Sequence, residues 1–158
     1  MSVARTQLPL TERRAGNAAS AFLLLELRNA HQNLLAAMDA MNCVTREPQP
    51  DRARYASARW RISQASLARR TLWGTIFRHL LPSVSSQEAA DLEHLQTADH
   101  EMLRHSANHI AIWVLARIEA DWEGYCEASR AIRWKMKSCL GAEQHILYPM
   151  LERNSASF

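Results

Sequence analysis

Apolar residues recur every three or four positions over four long stretches of the chain, and those stretches are separated by proline, glycine and helix-capping residues. In the first, Leu24, Leu27, Leu34, Leu35, Met38 and Met41 share one helical face, which predicts a helix from about Thr11 to Val44 with a weak point at Gly16. Glu47-Pro48-Gln49-Pro50 then ends it, because proline lacks an amide donor and restricts the residue before it. Asp51 suits the N-cap of a second helix that continues to Leu81 and stops at Pro82. Ser85-Ser86-Gln87-Glu88 has the form of a capping box and opens a third helix running towards Ile118–Asp121, with Gly124 as the break after it. A fourth covers about Tyr125 to Leu151, with Pro149 in or just beyond its last turn. Four amphipathic helices of similar length joined by short connections bury their apolar stripes most economically as antiparallel neighbours. The expected fold is therefore all-α, an up-down-up-down four-helix bundle over residues 11–153, with an arm at 1–10 and a tail at 154–158.

Composition agrees and removes other classes. Four Gly and five Pro in 158 residues are too few for the turns of a sheet-rich chain. No run of 18 apolar residues predicts a membrane span, and no apolar signal core precedes Pro9, so a cytoplasmic protein is expected. Cys43, Cys126 and Cys139 are odd in number and scattered, which suits reduced thiols. Net charge is only +3, but residues 51–81 hold seven Arg against Asp51, and residues 86–124 hold eight acidic residues against Arg104 and Arg117. Neighbouring antiparallel helices would let these blocks neutralise each other. No nucleic-acid partner is expected, since phosphate binding needs a basic face left uncovered.

Polar residues set within the apolar stripes are the candidate chemistry. His31 falls among Leu24, Leu27, Leu34 and Met38, and His100 shares a stripe with Leu103, Ala107, Ala111 and Val114, so both are expected to face inward. Glu143 stands in the apolar side of the fourth helix, one turn after Cys139. A buried carboxylate is costly unless paired, protonated or bound to a cation. His31, His100, Cys139 and Glu143 could thus hold one metal ion, zinc or iron by their mixed donor types. Alternatively, Glu143 pairs with an Arg of the second helix or hydrogen-bonds His31 or His100, and Cys139 is a small apolar side chain. His105 and His109, an i,i+4 pair, lie on a different face from His100 and are expected on the outer, polar side. Trp60, Trp73, Trp113, Trp122 and Trp134 are expected in the core or at an interface.

The two halves repeat weakly: His31 precedes Pro82 by 51 residues, and His100 precedes Pro149 by 49. Asp99-His100-Glu101-Met102-Leu103, the run Ala142-Glu143-Gln144-His145-Ile146-Leu147-Tyr148-Pro149-Met150-Leu151-Glu152, and Ala30-His31-Gln32-Asn33-Leu34 together resemble the motifs of hemerythrin-like (HHE cation-binding) domains over about residues 25–152. The resemblance implies a four-helix bundle with an oxygen-bridged di-iron centre, used to carry or sense O2, handle nitric oxide or peroxide, or regulate iron. Carried over by position, His31, His100 and Glu143 match ligands, one His position falls on Cys139, and the second-helix ligands fall on Leu72 and Ile76. A complete di-iron site is therefore not expected.

Two functions follow. One is a metal-binding or redox- or gas-responsive sensor built on a degenerate hemerythrin-like site. The other is a metal-free bundle serving as a protein-interaction module for a protein partner or as a homodimer, using exposed apolar or Arg-rich patches such as Arg52 to Arg70. An enzyme is disfavoured, because no nucleophile, base and orienting group form a set.

Overall fold

A computed structural model describes residues 9–156. It contains five helices, α1 (Leu10–Val44), α2 (Arg52–Leu80), α3 (Ser86–Ile112), α4 (Leu115–Ala120) and α5 (Trp122–Ala156), and no strand among the described residues. The punctuation acts as its chemistry requires. Asp51 caps α2 by accepting from the Arg54 amide at 3.2 Å. Ser85 and Glu88 form the reciprocal capping box of α3, at 3.2 Å and 2.9 Å. A 3-10 turn at Leu81–Ser83, containing Pro82, separates α2 from α3.

Several boundaries differ from expectation. α1 passes through Gly16 without a break. The third helix ends at Ile112, and extended Val114 leads into the separate short helix α4. The next break is at Asp121, whose carboxylate accepts from the Gly124 amide at 2.9 Å in the first turn of α5. A Cβ on Gly124 would collide with that carboxylate, so glycine there permits the close approach and does not end a helix. Pro149 lies inside α5, which continues into the expected tail as far as Ala156. Residues 1–8 of the expected arm, and 157–158, lie outside the described residues.

α1 packs along both α2 and α5, and α3 packs along α5. Contacts between opposite ends make these pairs antiparallel: Ser20 with His79, Met41 with Tyr125, and Glu88 with Arg153. α2 and α3 are linked by side chains, Arg69 to Asp99 and Arg59 to the Trp113 carbonyl. Two ion pairs join the charge blocks, Arg69 with Asp99 and Arg52 with Glu119, while among the described residues Arg59 bonds only a carbonyl, so the expected neutralisation is partial.

Apolar packing concentrates towards the two ends. One cluster gathers Leu27, Trp73, Ile76, Leu80, Leu92 and Leu147, and the other Met41, Tyr55, Trp113, Ile118 and Tyr125. Trp73 and Trp113 are buried as expected, whereas Trp60 and Trp134 are exposed. The three cysteines are free. No helix among the described residues is long and apolar enough to cross a membrane.

Candidate functional site

Between the cluster around Ile76 and the smaller one of Leu34, Met38 and Leu140 lies a layer of polar side chains, one from each long helix. α1 supplies His31, α2 Arg69, α3 Asp99 and α5 Glu143. Each occupies a core position of its helix: Leu27 and Leu34 flank His31, Ser66 and Trp73 flank Arg69, and Leu140 and Leu147 flank Glu143, all spaced by three or four residues. His31 is 1% exposed, Glu143 3% and Arg69 4%, while Asp99 is half-buried.

The bonding is continuous. Arg69 donates through Nη1 to Glu143 Oε1 and through Nη2 to Asp99 Oδ1. The other Glu143 oxygen, Oε2, accepts from His31 Nε2 at 2.8 Å. An ionised carboxylate can only accept, so Nε2 donates to it, and in the neutral ring Nδ1 accepts from the Tyr148 hydroxyl at 2.7 Å. Burial pushes the Tyr148 phenol above its ordinary range, which keeps the donor protonated. Tyr148 also stacks on His31, with ring centroids 5.6 Å apart, and carries the Arg28 guanidinium 5.3 Å above its own ring. The buried charges of this layer, Arg69 and Glu143, thus pair with opposite charge, the condition under which such groups are tolerated inside a protein.

Of the four residues expected to converge, the structure brings His31 and Glu143 into direct contact. Cys139 lies one turn from Glu143, half-buried, without a hydrogen bond to the layer. Burial is the main influence raising the pKa of its thiol, with the negative charges of Glu143, Asp99 and Glu101 adding to it. His100 is exposed, and this corrects the expected inward stripe. The face of α3 that turns inward carries Leu92, Leu95, Asp99, Met102, Ser106 and His109, so Asp99 takes the place expected for its neighbour. Leu103 and Val114, expected in the core, are exposed. The structure also corrects His109, which is half-buried against the Tyr125 ring with centroids 5.8 Å apart. Arg69 is the member of the layer that position-by-position carry-over missed. The signal for it was the pairing requirement of Glu143 together with an Arg at core spacing between Ser66 and Trp73.

This donor set does not fit a metal ion. Glu143 and Asp99 are committed to a guanidinium, whose fixed positive charge would stand beside any cation placed between them. The Cys139 thiol holds its proton more firmly than a free cysteine, His100 is on the outside, and Leu72 and Ile76 contribute only hydrocarbon. Among the described residues no group of three or more His, Cys, Asp or Glu side chains is arranged to hold an ion. The arrangement is a cation already in place, covalently attached to α2.

Compared with known protein families, curated proteins and solved structures, the chain finds no match in any of the three.

Proposed function

We propose that the chain is an up-down-up-down four-helix bundle of hemerythrin-like pattern in which the Arg69 guanidinium stands where a metal would, and that it works as a metal-free protein-interaction module. The antiparallel contacts of α1 with α2, α1 with α5 and α3 with α5 support the bundle, with α4 as part of the connection between the third and fourth long helices. The observation that carries the reading is Arg69 bridging Glu143 and Asp99, since a fixed internal cation already balances the carboxylates that iron or zinc would need. A redox- or gas-responsive sensor, the other function implied by the resemblance, has less support. It would depend on a metal, for which the paired carboxylates of this layer offer little support, or on Cys139, whose thiol burial makes less reactive.

The interaction surface follows from the corrected register of α3. Leu103 and Ile110 on α3, with Val114 just beyond its end, are exposed apolar side chains, the kind of surface that marks a partner site. The Arg-rich patch on α2 is less available than its sequence suggests, because Arg52, Arg54 and Arg69 are engaged with Glu119, Glu47 and the central layer.

Expression in iron- and zinc-replete medium followed by elemental analysis tests the central claim. Metal is expected far below one per chain, with the melting temperature unchanged by EDTA. A stoichiometric ion that is lost on Glu143→Ala or Cys139→Ala would overturn the metal-free reading. Sedimentation over a range of concentrations tests the surface: a dimer abolished by Leu103→Lys with Ile110→Lys supports self-association, and a monomer throughout removes the homodimer.

A further inference from the structure

The seam between α2 and α3 opens into a cavity of about 210 Å³, floored by α5 and Met41. Its walls are mostly apolar, from Ile62, Leu103, Ile110, Ile132 and Met136 among others. Its polar lining has one sign. Arg59, Arg70 and Arg133 all contribute to the wall, together with His109 and several serines, and no carboxylate does.

Arg133 is the decisive group. It is 6% exposed, and among the described residues its hydrogen bonds go to neutral hydroxyls alone: Nη1 donates to Ser129 and Nη2 to Thr45, the latter at 3.2 Å. Arg59 donates to the Trp113 carbonyl at 2.9 Å and has no carboxylate partner among the described residues. A buried guanidinium without a counter-charge is costly, in contrast to Arg69, which has two carboxylates in the same protein. His109 registers the resulting field: burial, then the charges of Arg59 and Arg133, hold its pKa below the ordinary histidine value.

We infer that this cavity is a binding site for a small carboxylate bearing one apolar ring, with Arg133 as its anion-binding residue. Size selects the body of the ligand. An apolar cavity of about 150 Å³ holds benzene, and drug-sized ligands occupy about 300–1,000 Å³, so the present volume suits one ring plus its acid group. Chemistry selects the head group, because a guanidinium fork matches a carboxylate with two parallel donors. Ile62, Ile132 and Met136 provide contacts for the ring. The site is separate from the His31–Arg69–Asp99–Glu143 layer and does not depend on whether that layer holds a metal.

Titration calorimetry of the full chain with benzoate, benzyl alcohol, acetate and inorganic phosphate tests this inference. Benzoate is expected to bind one per chain and more tightly than the other three probes, since only it combines the ring with a carboxylate. Arg133→Met is expected to weaken benzoate by about tenfold or more through loss of charge-assisted hydrogen bonds, while helicity by circular dichroism stays the same. Ala107→Phe, which narrows the cavity without altering its charges, is expected to weaken both benzoate and benzyl alcohol. Absence of benzoate binding, equal binding of phosphate, or benzoate affinity untouched by Arg133→Met in a folded chain would each overturn the proposal.

Discussion

Arg69 shows how one side chain decides what a buried acid does. Glu143 lies at a core position of α5, and both of its oxygens are engaged, one by Arg69 and one by His31. Removing one member leaves the remaining charges unpaired, whereas replacing the charged group as a set removes the need for pairing. Glu143→Leu is therefore expected to cost about 3–5 kcal/mol in urea unfolding. The triple variant Arg69→Met, Asp99→Leu, Glu143→Leu should recover most of that loss. A triple variant as unstable as the single one would show that the layer does not act as a compensated unit. His31 was legible in the sequence because leucines at offsets of three, four and seven leave its direction no choice. Arg69 was legible only as a type: Glu143 required a cation from the second helix, but several arginines there could have supplied it.

At the scale of the element, the helix starts were written in short-range chemistry and the helix ends less so. Ser85 and Glu88 satisfy each other's backbone amides with no help from the rest of the fold, so the start of α3 could be read directly. Ser85→Ala is expected to cost about 1 kcal/mol. The pH dependence has a definite sign. The Ser85 amide holds the Glu88 carboxyl below its ordinary value near 4.5, with Arg153 assisting. Its stabilisation is complete above that value and is lost as pH falls through the lower, folded-state value. Chemical denaturation of wild type and Glu88→Gln should accordingly differ at neutral pH and converge in acid; a constant gap would show that the carboxylate contributes nothing through its charge. The face of α3 was harder to read. Leu92, Leu95, Asp99, Met102 and Ser106 form one stripe, and His100, Leu103, Ala107, Ala111 and Val114 form another, displaced by a single position. Both are periodic, and the more apolar end of the second favoured the wrong one. The first wins because Leu92 and Leu95 close the core around Ile76 and Asp99 meets Arg69, contacts that lie far apart along the chain.

For the whole molecule, the same displacement divides the assembly into a firmly packed part and a looser one. α1 buries ten side chains along its length, while α3 buries Leu92, Leu95 and Met102, all in its first two-thirds. Hydrogen exchange is expected to be slowest in the middle of α1 and fastest, among the long helices, in the last turns of α3 beside the cavity. Uniform protection of α1 and α3 would contradict this division. The helical class, the four long segments, the capping residues and the inward direction of His31 and Glu143 were determined by the sequence itself, because periodicity and capping act over a few residues. Which face of α3 turns inward, which arginine neutralises Glu143, and the arginine-lined cavity beside Arg133 were decided only by tertiary structure. Each depends on what a neighbouring helix places opposite a side chain, and buried charge is settled by its partner across the core, not by its neighbours along the chain.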